Sequence, residues 1–396
     1  MKKPKPSRLF LMSALCMVTY PAISTAMPGL VTEASVGAGY DSNIFHTPNK
    51  TYFDYFSGGV PTQKLQSGLF LPLDISIALN KEKKNPGAIF VDYNLGGDFY
   101  TDIAHKNANN WGQELGAGKF VSLAKPGENK RQLEARFFVH QESKLYIDPD
   151  SGDKKLSSKG EDVSEKYSYL SLGAESVLDM ELNKQWDVDI GADIERFDFK
   201  TPVRGSEYDH TYFGAFADLS FTPMRRTKLK ASMDFYSKFY DFREARDLTG
   251  STVGKRPLLK YSYTDISLSW RQRFHKKLVT YLDYDFSQRR DLDVGYNDRT
   301  AQGVGVRALL DLTPALSTKF KVSYSKNEYP RALAFDTPAS GLKKTYSRVY
   351  LNWSLDYEIS KDMILEAVVK YYDTNTNDTR YDYERNVISV GVVKDW

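Results

Sequence analysis

The feature that most constrains this chain is an alternation of apolar and polar side chains, which recurs in short segments up to the last residue. Between residues 69 and 79 every odd position is Leu or Ile, whereas Asp74 and Ser76 hold even positions. Such a period of two places one face of a strand in an apolar medium and the other in a polar one. In lipid, only a closed barrel satisfies the backbone groups of strands. The repeated pattern therefore predicts an all-β, transmembrane, up-and-down antiparallel barrel.

The amino-terminal segment differs from the rest of the chain. The mean hydropathy of −0.50 argues against helical spans of about 20 apolar residues. Residues 9–22 are apolar but too short, follow four basic residues, and lead to Ser24-Thr25-Ala26. This order is typical of a signal peptide with a small-residue cleavage site. We predict a signal peptide at 1–26, cleaved near Ala26, and a single barrel domain at 27–396.

Charge and cysteine content exclude several classes of partner. The one cysteine, Cys16, lies in the predicted signal peptide, so the mature chain would hold no thiol for a disulfide or a thiolate metal site. Removal of the four basic residues of that segment changes the net charge from +3 to −1. We therefore expect no nucleic-acid partner, no metal and no cofactor.

Turn signals divide the chain into about sixteen segments of the length that a tilted membrane strand needs. The connections alternate in length, which predicts short periplasmic turns, longer extracellular loops, an even strand number and two periplasmic termini. The short connections fall at residues 125–130, 222–227, 274–277, 313–315 and 359–362, and the long polar ones at 46–64, 148–164, 200–210, 243–259 and 331–343.

Aromatic residues, 14% of the chain, fall at two depths on the apolar face. Two such belts are what the two interfaces of a bilayer select. The belt near the extracellular end would contain Phe99, Phe235, Tyr284, Tyr324 and Tyr371, and the belt near the periplasmic end Phe221, Trp270, Trp353 and Trp396.

Two short stretches carry a family resemblance. The sequence Gly-Tyr-Asp-Ser-Asn-Ile-Phe at 39–45 resembles the opening of Gram-negative outer-membrane β-barrel porins of unassigned function. The end of the chain, with Val390, Val392 and Trp396, is similar to the signal that the barrel-assembly machinery recognises. Lys394 departs from that pattern at a position where a lysine can snorkel to the interface.

The resemblance implies an outer-membrane location among lipid and lipopolysaccharide, assembly by that machinery, and, for some members, an association with surface-polysaccharide export.

The polar parity of the strands would line the lumen, with acidic residues concentrated on strands two to eight and basic residues more frequent on strands nine to fifteen. The clearest clusters are the acidic Asp187, Asp189, Asp193 and Glu195 and the basic Arg271, Arg273, Lys319 and Lys321. Walls of opposite sign would create a field across a wet pore. About sixteen strands enclose more space than side chains fill, which predicts a channel. The alternative is a filled lumen whose charges pair with one another.

Tyrosines on the same inward parity form a second candidate constellation. Their rings could stack on sugar faces, with neighbouring charges bonding to hydroxyls, or could reflect only strand packing. The candidates are Tyr167, Tyr169, Tyr212, Tyr236 and Tyr350.

Together these features predict a porin-like channel for passive passage of polar solutes, among them oligosaccharide or polysaccharide. One alternative is a closed surface structural protein or receptor, favoured by the aromatic first loop with Tyr52, Phe53, Tyr55 and Phe56. Another is a barrel that assists exopolysaccharide export. We expect no enzyme activity, because no nucleophile motif accompanies the histidines.

Overall fold

The computed structural model describes residues 29–53, 59–81, 87–125, 127–157, 160–200, 208–251, 256–334 and 341–396. The predicted signal peptide at 1–26 lies outside these residues, and its cleavage near Ala26 stays a prediction. The strands, numbered in chain order, are β1 (Leu30–Asp41), β2 (Gly68–Leu79), β3 (Ile89–Tyr100), β4 (Asn110–Ser122), β5 (Arg131–Lys144), β6 (Tyr169–Asn183), β7 (Trp186–Phe199), β8 (His210–Met224), β9 (Thr227–Glu244), β10 (Leu258–His275), β11 (Leu278–Asp291), β12 (Arg299–Asp311), β13 (Leu316–Leu333), β14 (Lys343–Ser360), β15 (Met363–Thr376) and β16 (Tyr383–Asp395). Short 3₁₀ helices occupy Ile103–Ala108 and Thr379–Tyr381.

The strands form one closed antiparallel barrel. Each strand pairs with its neighbours in sequence, and β1 pairs with β16 at a seam where Gly37 lies opposite Gly391. Among the described residues, no helix is long and apolar enough to cross a membrane. The predicted fold class and strand number are confirmed.

The connections alternate in length as the sequence predicts. At one end of the barrel, two-residue turns at 184–185, 225–226 and 276–277 join consecutive strands. At the other end, the connections include the long segments 145–168 and 245–257. Strands β9, β10, β13 and β14 have 18 residues each, against 12 in β1, β2 and β3. The barrel wall therefore rises higher at the β9–β10 and β13–β14 hairpins.

The outer face of the wall is apolar. Leucine, valine and phenylalanine side chains of one parity are exposed there, with Phe137 at 70% and Leu172 at 63%. Such exposure of large apolar side chains suits a hydrocarbon solvent and would be costly in water. Trp270 and Trp353 are exposed on this face in the halves of their strands next to the short turns, and Tyr324 is exposed at the middle of β13. The fold and this apolar band place the protein in the outer membrane of a Gram-negative cell.

The C-terminal residue joins the seam between the first and last strands. The Trp396 backbone N–H donates to the Thr32 carbonyl at 2.9 Å, and the Lys394 ammonium lies 5.2 Å from the centre of the Trp396 ring. Lys394, which departs from the assembly pattern, thus places its charge beside the terminal aromatic ring. This contact accounts for a cation on the lipid-facing parity.

Deletion of Trp396 should reduce the amount of folded barrel in the membrane several-fold, with little change in the conductance of the molecules that do fold. The physical reason is that this ring combines the proposed assembly signal with an interfacial anchor. The measurement is the heat-modifiable band of outer-membrane fractions on a gel. Trp396→Phe, which keeps an aromatic ring, is the matched control. Unchanged levels after the deletion would contradict the role.

Candidate functional site

The polar parity of the strands faces the interior of the barrel. A cavity of about 640 Å³ is lined by this parity of β2 to β5 together with β15 and β16, including Asp74, Glu114, Lys370 and Arg385. These strands lie on both sides of the β1–β16 seam. Their residues can line one common cavity only if their side chains point into the barrel. The interior is therefore lined by charged side chains, as the alternation predicts.

The acidic cluster extends along β7. Asp187 and Asp189 line a second cavity of about 360 Å³ near the short turns, together with Glu134, Asp179 and Lys228. Further along the strand, the Asp193 carboxylate interacts with the Tyr212 hydroxyl. Glu195 follows on the same parity and interacts electrostatically with His140 and Lys238.

The basic cluster is partly neutralised. The Lys319 ammonium lies 2.7 Å from the Asp356 carboxylate on the neighbouring strand, and Arg271 donates to the Tyr281 hydroxyl at 3.3 Å. Lys321 lies 5.8 Å from the centre of the Tyr350 ring. Arg273 of β10 lies opposite Val279 of β11 in the antiparallel pairing of these two strands.

The basic cluster is divided between two parts of the ring: Arg271 and Arg273 lie close to the acidic residues of β7, whereas the two lysines of β13 lie nearly opposite them. Only β8 and β9 separate the acidic residues on β7 from Arg271 and Arg273 on β10. Lys319 and Lys321, on β13, lie further round the ring. The acidic residues and the nearest basic residues thus occupy adjoining parts of the wall, so the strongest field between them would run along the circumference.

Arg136 organises the acidic side of the interior. Its guanidinium donates to Asp92 at 2.5 and 3.2 Å and to Glu114 at 2.5 Å, so one side chain links β3, β4 and β5. The side chain crosses over Gly116, where an added Cβ would lie 2.4 Å from the guanidinium. Gly116 is therefore needed for the arginine to reach both carboxylates.

Aromatic rings form a continuous track along the inner wall from β5 to β10. Successive ring centres lie 4.3 to 6.0 Å apart. The rings, in order of contact, are His140, Tyr169, Phe197, His210, Tyr240, Tyr261, Tyr263, Tyr236 and Tyr212. Three of the five tyrosines singled out in the sequence, Tyr169, Tyr212 and Tyr236, lie in this track, while Tyr350 pairs separately with Tyr372 at 4.9 Å.

The histidines do not form a recognisable catalytic arrangement with a serine or cysteine among the described residues. His140 lies 3.5 Å from a Glu114 oxygen and 3.6 Å from a Glu142 oxygen, and it stacks on Tyr169. Over the same residues, no group of three or more His, Cys, Asp or Glu side chains is arranged to hold a metal ion.

The motif at 39–45 forms a buried junction at the loop end of the seam. Asp41, fully buried, accepts bonds from Arg385 at 2.6 to 3.1 Å and from the Tyr100 hydroxyl at 2.7 Å. The Asn43 side chain bonds to backbone groups of Thr47 and Glu384 at 2.8 to 3.0 Å. The motif thus links β1, β3 and β16 and begins the first loop.

The first loop continues inward from this junction and contacts the loop after β5. The Thr47 hydroxyl donates to the Pro149 carbonyl at 2.7 Å, and the Tyr52 hydroxyl to Asp150 at 2.5 Å. Phe53 is 45% exposed, while Tyr55 and Phe56 lie outside the described residues. Within the described part, the aromatic first loop is therefore anchored to a neighbouring loop at the barrel mouth.

Tyrosines and cations alternate around the loop end of the interior, in an arrangement that we call the cation–tyrosine collar. Each cation lies 3.6 to 6.0 Å from the centre of the ring that precedes or follows it in this order. The collar consists of Tyr146, Lys166, Tyr208, Arg243, Tyr240, Tyr261, Arg289, Tyr329, Lys344, Tyr381 and Arg380. Tyr381 and Tyr146, from opposite ends of this series, also interact electrostatically.

Tyr167, the remaining predicted aromatic, belongs to this region. It lies in the loop before β6, 5.1 Å from the Tyr146 ring and 5.6 Å from the Tyr208 ring. The collar has no local pattern in the sequence, because most of its members come from loops and strand ends whose mutual positions depend on the closed barrel. The one available signal was the richness of the long loops in Tyr, Lys and Arg.

Sequence comparisons identify no relatives for this chain. No protein-family model matches it, and no curated protein sequence matches it.

Solved structures share the fold. The chain is similar to OprB of Pseudomonas putida, with a TM-score of 0.50 and 10% identity over 93% of this chain and 94% of that one. It is also similar to a bacterial polysaccharide outer membrane secretin (TM-score 0.47, 12% identity, 92% and 98% covered). A further match is the outer membrane channel DcaP of Acinetobacter baumannii (TM-score 0.43, 10% identity, 93% and 98% covered). At 10% identity the likeness to OprB shows the fold alone, which is that of an outer-membrane β-barrel.

Proposed function

We propose that the protein is a passive channel of the outer membrane for polar solutes, with carbohydrates among them. The observation that supports this proposal most directly is the inner wall, which combines charged side chains around cavities with a continuous track of aromatic rings. Charged groups hold water in the lumen, and aromatic faces stack on the apolar faces of sugar rings. We propose no catalytic role: the described contacts of His140, with Glu114, Glu142 and Tyr169, belong to the charged and aromatic lining.

Two other functions remain candidates because each has a supporting feature. Contacts between the first loop and the loop after β5 favour a surface receptor with a closed lumen. Assistance to exopolysaccharide export is favoured by the resemblance at 39–45 and by the same aromatic track. Direction of transport distinguishes export from uptake, whereas conductance distinguishes both from a closed barrel.

The purified barrel should produce discrete current steps in a planar bilayer, because an interior of sixteen strands exceeds the volume of its side chains. Neutral maltooligosaccharides should reduce that current by occupying the aromatic track. Tyr236→Ala should weaken the reduction several-fold, since Tyr236 stacks on Tyr263 at 4.3 Å and contacts Tyr212 at 5.3 Å. The measurement is single-channel current as a function of sugar concentration.

Tyr284→Ala is the matched control, because this tyrosine is exposed on the outer face. If the folded wild-type barrel carries no current, the closed surface receptor becomes the better proposal than the channel. If the sugar reduces the current equally in Tyr236→Ala and in the wild type, the sugar does not bind to the aromatic track.

A further inference from the structure

The charges of the cation–tyrosine collar are unevenly balanced. On one side, Lys344 and Arg380 share the buried Asp378 carboxylate at 2.8 to 3.0 Å. On the other side, Lys166, Arg243 and Arg289 have no carboxylate within 4.0 Å in the described parts of the chain. Arg289 donates to the Asn297 carbonyl at 2.7 and 2.9 Å, which carries no charge.

Several cations elsewhere in the interior are paired with carboxylates, unlike these three collar cations. Lys230 lies 2.8 Å from Asp218, Arg307 lies 2.8 Å from Asp283, and Lys319 is paired with Asp356. The collar cations without a carboxylate instead lie over the rings of tyrosines. A ring face attracts a cation but does not neutralise its charge, so the local field stays positive.

Lys166 shows the consequence for a single cation. Its ammonium lies 3.6 Å from the centre of the Tyr146 ring and 6.0 Å from that of Tyr208. Burial in this loop region, together with repulsion by Arg243 and Lys155, lowers the pKa of Lys166 to about 8. An anion bound beside Lys166 would offset the repulsion by Arg243 and Lys155 and raise the pKa of Lys166.

The geometry restricts the chemistry of the ligand. Lys166 and Arg243 lie over the same Tyr208 ring, at 6.0 and 4.8 Å, so a group beside this ring meets two cations and an aromatic surface. A carboxylate or similar anion satisfies the cations, whereas a sugar ring satisfies the aromatic surface. A neutral sugar can only stack on the aromatic surface, and an inorganic anion can only pair with the cations.

We propose that the cation–tyrosine collar is a binding site for acidic saccharides, whose sugar residues carry carboxylates. The collar surrounds the loop end of the aromatic track, so an acidic chain that enters or leaves the lumen contacts Lys166, Arg243 and Arg289. The inference that this binding selects the transported solute rests on the proposed channel function. The binding itself is independent of conductance.

The test is calorimetric titration of the detergent-folded barrel at low ionic strength with trigalacturonate, maltotriose and sulfate. Trigalacturonate should bind at least about tenfold more tightly than the other two, because only it combines both features. Lys166→Gln and Arg243→Gln should each weaken its binding by about tenfold, as expected when one charge-assisted contact is lost. Lys166→Arg should retain it.

Arg290→Gln is the matched control. Arg290 follows Arg289 on β11 but is exposed on the opposite face, where it donates to Gln288 at 3.3 Å. Its replacement should leave binding unchanged. The heat-modifiable gel band confirms that each variant is folded.

Equal affinity for maltotriose, equal affinity for sulfate, or unchanged binding in both glutamine variants would each overturn the acidic-saccharide site. Conductance separates this result from failure of the channel. A conducting barrel that does not bind trigalacturonate refutes the collar alone, and a barrel that binds but does not conduct refutes the channel alone.

Discussion

Replacement of Arg385 by alanine is expected to destabilise the barrel by about 3–5 kcal/mol, because it leaves the Asp41 carboxylate buried without its cation. Asp41 is fully buried and receives three bonds of 2.6 to 3.1 Å from this guanidinium. The pair lies at the seam, where β1 and β16 close the barrel. The measurement is the urea midpoint of the barrel folded into lipid vesicles, followed by tryptophan fluorescence.

Arg348→Ala is the matched control for this prediction. Arg348 also points inward near the loop end, but its described hydrogen bond goes to the uncharged Thr374 hydroxyl at 3.2 Å. The double variant Asp41→Asn with Arg385→Gln should recover much of the loss, since no buried charge then lacks a partner. Equal midpoints for Arg385→Ala and Arg348→Ala would show that the pair does not stabilise the seam.

The sequence was sufficient to predict the barrel because strand alternation is local. Each strand shows its two faces within about ten residues, and each turn shows its length directly. Residues 69–79 become β2 with this alternation intact, and the terminal segment becomes β16. Closure followed from the requirement that lipid imposes on backbone hydrogen bonds.

The interior contacts could not be predicted in the same way, because they depend on register and on residues far apart in the chain. Asp41 and Arg385 are separated by 344 positions, and no local pattern pairs them. Lys319 meets Asp356 only because β13 and β14 align as they do. The parity of each strand predicted which charges face inward but not which of them are neutralised.

The collar illustrates the same limit for loops. Tyr146, Tyr208 and Tyr381 lie in three different connections, and the closed barrel brings these connections to one end. The motif at 39–45 carries a family resemblance in the sequence, whereas its physical role follows from the burial of Asp41 and Asn43. Side chains at the mouth are therefore the part of the site that needed the structure.

Neutralising the two interior clusters should shift ion selectivity in opposite directions. Replacement of the acidic set by amides removes negative potential and should raise anion permeability, whereas replacement of the basic set by glutamine should raise cation permeability. Potentials in charged clefts reach several kT, so a several-fold change in the permeability ratio is expected. The measurement is the reversal potential across a salt gradient. The acidic set is Asp187, Asp189, Asp193 and Glu195, and the basic set is Arg271, Arg273, Lys319 and Lys321.

The structure makes this prediction sharper within the basic set. Lys319→Gln alone should have the smaller effect, because the adjacent Asp356 already offsets its charge at 2.7 Å. Lys321→Gln should have the larger effect, because Lys321 lies over the uncharged Tyr350 ring and its nearby carboxylate, Asp283, is already paired with Arg307 at 2.8 Å. Lys319 and Lys321 share one strand and one parity, so each serves as the control for the other.

Ionic strength provides the decisive comparison, because the screening length falls from about 10 Å at 0.1 M to about 3 Å at 1 M. Selectivity that arises from the charges of the wall should weaken over this range, whereas selectivity that arises from pore size should not. Unchanged reversal potentials in both cluster variants at 0.1 M would mean that the permeating ions do not pass these parts of the wall. The loops and the cation–tyrosine collar would then determine the path of the ions through the barrel.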